Sequence, residues 1–393
     1  VKKINSAFNK AMSFVSARID QVSEFTKPQK KFLKWIIEIW VMLPVRHNFL
    51  NVYRYSNGQY SEKSLRNQFE RKIDFPALSD SVFSPLKEKE CIVAFDPSFI
   101  KKSGKKTYGK GYYWSGKDGQ TLPGLEISSL ALVDVSDETA YSLEAVQPPA
   151  GLKDGKQMEH YVNIIGQNKD RILKYTKYVA ADAYFMKTGF IEPLLKMGIQ
   201  VVTRMRQDAD LKYLHKGPQK SGKGRNRIFD GKVDVKNIDK RRWEVCYQDE
   251  DVCAYESVVW CVSLKRIVKV VYLKYKKTDS YSILLSTDTE LGGEKVLQYY
   301  RLRFQIEFLL RDAKQYTGLE ECQARSQTKL YNHFNLSLMA VSLMKLTCWA
   351  TQQNKSQIPF SMRRIKTWYY NKYITETIFS NLGIDVRPVK VCF

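Results

Sequence analysis

Apolar positions recur along the chain with two different spacings, and the change from one to the other divides it. Over the first eighty-odd residues the spacing is helical. Phe8 to Phe25 carries it, and Pro28 stands at a first-turn position for a second helix over Gln29 to Met42, with Phe32, Ile36 and Ile39 on one face. A short helix is expected over His47 to Tyr55, stopped at Asn57-Gly58. Ser61 can then cap a helix, over a stretch running to Arg71, that displays Lys63, Arg66, Asn67 and Arg71. Helix, tight turn and capped basic helix fit a helix-turn-helix DNA reader, and equally a plain bundle with a solvated basic face. Pro76 to Glu90 reads as a linker.

Beyond the linker the pattern is that of strands. Cys91 to Phe95 is an apolar run leading into Asp96, and Lys101 to Lys110 is a Gly- and Lys-rich turn. Strands follow over Leu125 to Val135 and Thr139 to Val146, then a helix over Lys156 to Leu173. Tyr178 to Ala181 is a short buried strand leading into Asp182, followed by a helix (Phe185 to Met197) and a strand (Ile199 to Arg204). Three strands, then helix, strand, helix, is the order of a ribonuclease H-like core. From Arg206 to Asp288 the chain turns polar and basic, with strands over Trp243 to Tyr247, Ser257 to Leu264, Val268 to Tyr275 and Tyr281 to Ser286. His215 to Arg227 holds Gly217, Gly222 and Gly224 among Lys and Arg and reads as a flexible loop. Gly292-Gly293 opens a long helix to about Tyr316, and Tyr331 to Trp349 is nearly continuous in apolar periodicity. The expected fold is α/β: a ribonuclease H-like core over 86–205 and 289–350, interrupted by a β-rich insertion at 206–288. A helical DNA-binding region at 1–85 and a helical region at 351–393 flank it.

Charge narrows the partners. Lys and Arg number 64 against 41 acidic residues, a formal charge of +23, which attracts a polyanion such as nucleic acid or an anionic membrane. No apolar run reaches a membrane span. The longest, Trp35 to Pro44, is too short and is interrupted by Glu38. Membrane partners fall away and nucleic acid remains. The seven cysteines are scattered, odd in number and without a CxxC pair, which speaks against a zinc ribbon or a disulfide framework and fits a reducing interior. The first residues lack the charged-then-apolar pattern of a signal peptide. The four histidines lack metal-ligand spacing, and His333 on an apolar helix reads as a satisfied core residue.

Two carboxylates, Asp96 and Asp182, end buried apolar runs, where an unpartnered charge is costly. A divalent metal removes that cost, and Mg²⁺ takes one or two carboxylates while keeping positions for a substrate phosphate. Each Asp could instead merely cap a turn. The helix over Tyr300 to Gln315 bears on the choice. At about 100° per residue, Tyr300, Arg303, Glu307 and Lys314 fall within an arc of roughly 60°. Tyr299, Leu302, Ile306, Leu309, Leu310 and Ala313 form the expected core face, Phe304, Phe308 and Arg311 the other flank, and Arg301, Gln305 and Asp312 the solvated arc. The alternative is a structural ion pair between Arg303 and Glu307, four apart.

Tyr300-x-x-Arg303-x-x-x-Glu307, followed after six more residues by Lys314, resembles the YREK signature of the IS-four family of bacterial insertion-sequence transposases. Asp96-Pro97-Ser98 with the following lysines and Thr107 resembles that family's first-Asp region, and Ala181 to Phe185 its second. The resemblance covers about Cys91 to Trp349. It implies a DDE catalytic triad of Asp96, Asp182 and Glu307 that holds two Mg²⁺ ions, with Mn²⁺ able to substitute. It implies phosphate contacts from Tyr300, Arg303 and Lys314. It further implies double-stranded DNA partners (terminal inverted repeats and target), a homodimer in the synaptic complex, and a bacterial cytoplasmic, nucleoid-associated location. Some relatives hold a flipped base against a Trp in the insertion. Here Ser282 stands at that place with Tyr281 beside it, a base-stacking candidate that reads equally as a core-facing strand residue. Lys101, Lys102, Lys105 and Lys106 are candidate phosphate contacts or a solvated turn. Two rival functions keep the same charge: a ribonuclease H-like nuclease without strand transfer, and a domesticated transposase serving as a DNA-binding regulator.

Overall fold

Two helices open the chain, α1 (Lys2–Gln21) and α2 (Lys27–Met42). The computed structural model describes residues 2–153, 155–219, 222, 225–278, 280–351 and 360–383. Thr26 starts α2 with a reciprocal cap: its N–H donates to Gln29 Oε1 at 2.9 Å and its hydroxyl oxygen accepts from the Gln29 N–H. Phe32, Ile36 and Ile39 are buried as their spacing predicts, but so are Leu33, Ile37, Trp40 and Val41. The reason is that later helices surround α2, so it buries more than one face.

Asn48 caps α3 (Phe49–Arg54), and Ser61 caps α4 (Glu62–Phe69), accepting from the Ser64 N–H at 3.1 Å. Arg71 therefore lies beyond the helix expected to display it. The stretch read as a linker is folded. Asp74 caps α5 (Phe75–Val82), and a 3₁₀ turn spans Ser84–Glu88, with Leu78, Val82, Phe83 and Leu86 buried. Pro76 sits in the first turn, where its missing N–H costs no helical bond, so proline there marks a helix start.

The strands and helices that follow are β1 (Cys91–Lys101), β2 (Gly111–Ser115), β3 (Gln120–Asp134), β4 (Thr139–Val146), α6 (Gln157–Gln167), α7 (Lys169–Leu173), β5 (Tyr178–Ala180), α8 (Thr188–Lys196) and β6 (Gln200–Met205). Next come β7 (Leu211–Leu214), β8 (Phe229–Lys232), β9 (Glu244–Gln248), β10 (Val252–Cys261), β11 (Arg266–Tyr275) and β12 (Tyr281–Ser286). Helices α9 (Gly293–Leu302), α10 (Gln305–Tyr316), α11 (Gln327–Thr351) and α12 (Met362–Asn381) close the described chain. The helix expected over 156–173 breaks at buried Asn168, whose amide donates to Glu144 Oε2 at 3.0 Å instead of facing solvent. Strands β2, β7 and β8 were too short or too polar to stand out in the pattern. Of the glycine-rich loop, Lys220, Ser221, Lys223 and Gly224 lie outside the described residues.

The fold is mixed α/β around one twelve-stranded sheet, in the order β2-β3-β1-β5-β6-β12-β11-β10-β7-β8, with β4 on β3 and β9 on β10. β1 is antiparallel to β3 and parallel to β5, and β5 is parallel to β6. The β-rich segment joins through β12, antiparallel to β6, so it lengthens the same sheet. Helices cover both faces around β1. The Phe95 ring meets Tyr161, Phe185 and Phe190 on one side. Its neighbour Asp96 points to the other side, toward α9 and α10, as strand alternation requires.

Candidate active site

The parallel pairing of β1 with β5 sets Val93 beside Val179 and Ala94 beside Ala180, and ends there. The same offset continued puts Asp96 level with Asp182, in the crevice where the two strands part. Crevices at the carboxyl ends of parallel strands are where ligands bind in such sheets. Asp96 does not end its strand, as expected from the apolar run: β1 continues to Lys101, paired all the way with β3. Asp182 does end its strand. One of its carboxylate oxygens caps the 3₁₀ turn Ala183–Phe185, accepting from the Tyr184 N–H at 2.8 Å. Its peptide oxygen accepts from the Thr203 hydroxyl at 2.8 Å, so the Asp182 backbone is pinned from β6.

The long helix carrying the Tyr-Arg-Glu-Lys stripe is broken between α9 and α10. Around Arg303 and Phe304 the bonds tighten to the 3₁₀ spacing: the Ile306 N–H donates to Arg303 O at 3.2 Å and the Glu307 N–H to Phe304 O at 3.0 Å. A fixed angular step per residue therefore fails across this point. The core face is nonetheless as expected, with Tyr299, Leu302, Ile306, Leu309, Leu310 and Ala313 all buried. Asp312, expected in solvent, is buried, its carboxyl raised by burial and pulled back by Lys345 and Arg311. The neighbouring α11 covers it.

Arg303 is the centre of the cluster. Only 5% exposed, it sets Nη2 3.1 Å from Glu307 Oε1 and Nη1 4.0 Å from Asp96 Oδ1. Its guanidinium lies 5.7 Å from the centre of the Tyr300 ring and 5.2 Å from that of Phe304. The ion pair four apart thus exists, but it is one arm of a bridge between two carboxylates. Burial pushes the Asp96 carboxyl up to about 7; Arg303 opposes this, Glu307 and Asp182 add to it, and Lys314 opposes it. Burial also raises the Tyr300 phenol, with Arg303 and Arg204 lowering it and Asp182 raising it. Lys314 donates to Phe99 O at 3.1 Å, on the same strand as Asp96, and pairs with Glu320 at 3.2 Å. All six residues that the resemblance singles out therefore face one crevice.

The other sequence candidates lie apart from it. Lys101 and Lys105 are exposed on the end of β1 and its turn. Lys102 is turned inward. Its ammonium donates to the Cys322 peptide oxygen, and burial lowers its pKa. Arg66 folds back on Glu62 at 3.0 Å, Asn67 is exposed, and both sit on α4, which packs on α3 and α11. The Tyr281 ring stacks on Tyr272 at 5.4 Å within the sheet, the strand-residue alternative for that position. His333 is a satisfied core histidine: Nε2 bonds Gly318 O at 2.7 Å and burial drives its pKa to about 3.

Two residues went unnoticed in the sequence. Ser129 pairs directly with Asp96, and its buried hydroxyl has no hydrogen-bond partner among the described residues. Arg204 is exposed on β6, close enough to influence Tyr300. The only sequence signal for the first is a Ser-Ser step inside the apolar β3.

The donor chemistry suits a hard divalent cation. Among the described residues, no three His, Cys, Asp or Glu side chains are already gathered at metal-ligating spacing. Asp96 and Glu307 are instead bridged by the Arg303 guanidinium, a positive charge standing where carboxylate repulsion most demands one. The Glu307 side chain is 40% exposed at the crevice.

No curated protein matches the chain. Among solved structures it is similar to a piggyBac transposase synaptic complex with hairpin DNA, at 13% identity and a TM-score of 0.44, over 96% of this chain and 79% of that one. The family comparison is more direct. Residues 87–343 match the transposase DDE domain, a span that opens just before β1, contains Asp96, Asp182 and Glu307, and closes inside α11. With about two thirds of its length in that match, the chain belongs to the transposase DDE domain family.

Proposed function

We propose that this chain cuts the ends of its own insertion sequence and joins them to target DNA, by phosphodiester hydrolysis followed by transesterification. The observation that carries the reading is the crevice itself. Asp96 is pushed up to about 7 by burial and by two further carboxylates, Glu307 and Asp182, which converge on it from α10 and from the end of β5. An ordinary structural site does not gather like charges in this way. The ribonuclease H-like part of the reading is supported by the strand order β4-β3-β1-β5-β6, antiparallel through the first three and parallel through the last three. The IS-four assignment rests on the Tyr300, Arg303, Glu307 and Lys314 stripe.

Asp96, Asp182 and Glu307 would hold the divalent ions, two Mg²⁺ with Mn²⁺ as substitute. When bound, such ions supply Lewis-acid charge at the phosphate and lower the pKa of a bound water. Arg303, released from Glu307, keeps its guanidinium in the crevice for a phosphate oxygen, with the Tyr300 ring beneath it. Lys314, anchored on Phe99 O, and exposed Lys101 and Lys105 line the approach to β1. In cleavage, water oxygen bonds to phosphorus and the P–O3′ bond breaks. In joining, the freed 3′-hydroxyl bonds to a target phosphorus and that target's own O3′ leaves. Neither step needs a covalent bond between protein and DNA. Two ends must meet before joining, so the reading includes a homodimer on double-stranded DNA, in a bacterial cytoplasm at the nucleoid. Among the described residues no helix is long and apolar enough to cross a membrane.

The test uses the inverted repeats flanking the gene as labelled duplexes, incubated with protein, Mg²⁺ and a supercoiled plasmid. Cleavage at the repeat ends with joined products, both lost in Asp96→Ala, is the expected result. Cleavage without joining would replace the proposal with a nuclease, and specific binding without cleavage in either Mg²⁺ or Mn²⁺ would replace it with a regulator.

A further inference from the structure

The ribbon formed by β2 and the start of β3 carries two exposed aromatic rings that the catalytic reading does not use. Tyr112 is 76% exposed and Trp114 64% exposed. β1 pairs with β3 only as far as Lys101 with Gly124, whereas β2 pairs with β3 from Gly111 with Gly124 to Ser115 with Gln120. The ribbon therefore projects beyond the strand that holds Asp96. Its turn is well bonded: the Ser115 hydroxyl donates to Asp118 Oδ2 at 2.6 Å and the Gly119 N–H to Ser115 O at 2.8 Å, with Gly119 at φ +63°. Tyr113, between the two rings, faces the other way and donates its hydroxyl to Gly109 O at 3.0 Å. The rings thus stand on a fixed support and are not swept about by a loose loop.

Register decides which face they occupy. Asp96 pairs with Ser129, Tyr112 with Pro123 and Trp114 with Thr121. Steps of two along β3, from Ser129 through Ile127 and Leu125 to Pro123 and Thr121, keep to one face. Tyr112 and Trp114 therefore share the face of Asp96. The opposite face checks this: Tyr113 and Glu126 lie there together, and burial raises the Tyr113 phenol with the Glu126 charge adding to it. At about 3.3 Å per residue, Tyr112 lies about 20 Å along the sheet from Asp96 and Trp114 about 26 Å.

Two features of the patch point to its occupant. Same-face neighbours on a strand are about 6.7 Å apart, twice the base-stacking distance of about 3.4 Å, which is the spacing that a planar base held between two rings requires. From Pro97 to Lys117 the chain contains six lysines and no acidic residue, and Lys105, Lys106 and Lys117 are exposed around the ribbon. Aromatic faces set among cations are how proteins hold bases that have left the helix stack.

Resting on the reading of this chain as a DNA-acting enzyme, we propose that Tyr112 and Trp114 clamp an unpaired base of the DNA strand passing the active-site face. The test compares the full chain with a Tyr112→Ala/Trp114→Ala variant and a ring-keeping Tyr112→Phe/Trp114→Phe variant. The probes are a duplex with one unpaired 2-aminopurine and the same duplex fully paired. The expected result is that wild type binds the unpaired probe more tightly and quenches its fluorescence. The alanine variant then loses about tenfold on that probe, little on the paired one, and the phenylalanine variant retains both effects. Equal losses on both probes would mean a groove contact and would overturn the clamp. So would unchanged affinities, or a shift from dimer to monomer in sedimentation without a change in probe binding, which would make the patch a protein interface. If wild type binds neither duplex, the DNA-acting reading itself fails, a result distinct from loss of the clamp alone.

Discussion

Replacing Asp96 by Asn should stabilise the metal-free protein at alkaline pH while abolishing its chemistry. The structure sets both sign and size. Asp96 is held at about 7 in the fold, above the ordinary 3.8 of an unfolded Asp. The folded chain therefore keeps a proton that the unfolded chain has released between these values. Stability from this group is complete below the lower value and is lost as pH rises through the upper one. At about pH 8 the full shift, roughly three units at about 1.4 kcal/mol each, sets a ceiling of about 4 kcal/mol. Asp96 retains some solvent contact, 21% of its side chain, and neighbouring groups relax, so about 2 kcal/mol is the expected gain. The assay is urea unfolding in EDTA at about pH 5 and about pH 8, with the midpoint and slope compared between wild type and Asp96→Asn. The variant should be more stable at the higher pH, and the difference should shrink toward the lower one. Mg²⁺ should then stabilise wild type and not the variant, by mass action. Equal or lower stability of the variant at the higher pH would refute the argument that carboxylate crowding, relieved by metal, defines this site.

The other predictions follow from the same geometry. The apparent Mg²⁺ affinity of the wild type should rise up to about tenfold per pH unit below about 7 and level off above it, since Asp96 must lose its proton to bind; a pH-independent titration would remove Asp96 from the ligand set. Glu307→Gln should abolish cleavage but leave DNA binding within about twofold and stability within about 1 kcal/mol, because the Glu307 side chain is 40% exposed and the amide can still accept from Arg303; joint loss of binding and stability would make the pair purely structural. Arg303→Ala should lower the salt-dependence slope of DNA binding by about one, and an unchanged slope would exclude a phosphate contact. A Cβ at Gly293 would collide with Glu256 Oε2 and lie 2.7 Å from Cys246 Sγ, so Gly293→Ala should cost about 1–3 kcal/mol in denaturant unfolding where the β-rich segment meets α9, and a neutral outcome would mean that Glu256 yields freely.

Local pattern was enough for much of this protein. Short apolar runs mark β1, β3, β4 and β12, and 3.6-residue spacing marks α2 and the core face of α9 and α10, because these depend only on which positions of an element are buried. The Tyr-Arg-Glu-Lys spacing and its two Asp contexts could be read from the chain as a resemblance, although the structure divides that spacing between α9 and α10. What the chain alone could not decide depends on contacts between distant segments. The two Asp residues are 86 positions apart, and only the parallel register of β1 with β5 brings them level. The break at Arg303 arises where the helix meets that crevice, and no propensity in Leu302-Arg303-Phe304 announces it. Lys102 looked like its neighbours until the Cys322 carbonyl was packed against it. Tyr112 and Trp114 fell between the Lys101 to Lys110 turn and the strand expected over Leu125 to Val135, where no element was expected, because a two-stranded ribbon of five residues a side has no buried face to leave an alternation. Sequence determines which faces can be buried; tertiary packing determines which charges, rings and backbone oxygens then meet, and the chemistry of this crevice is made of those meetings.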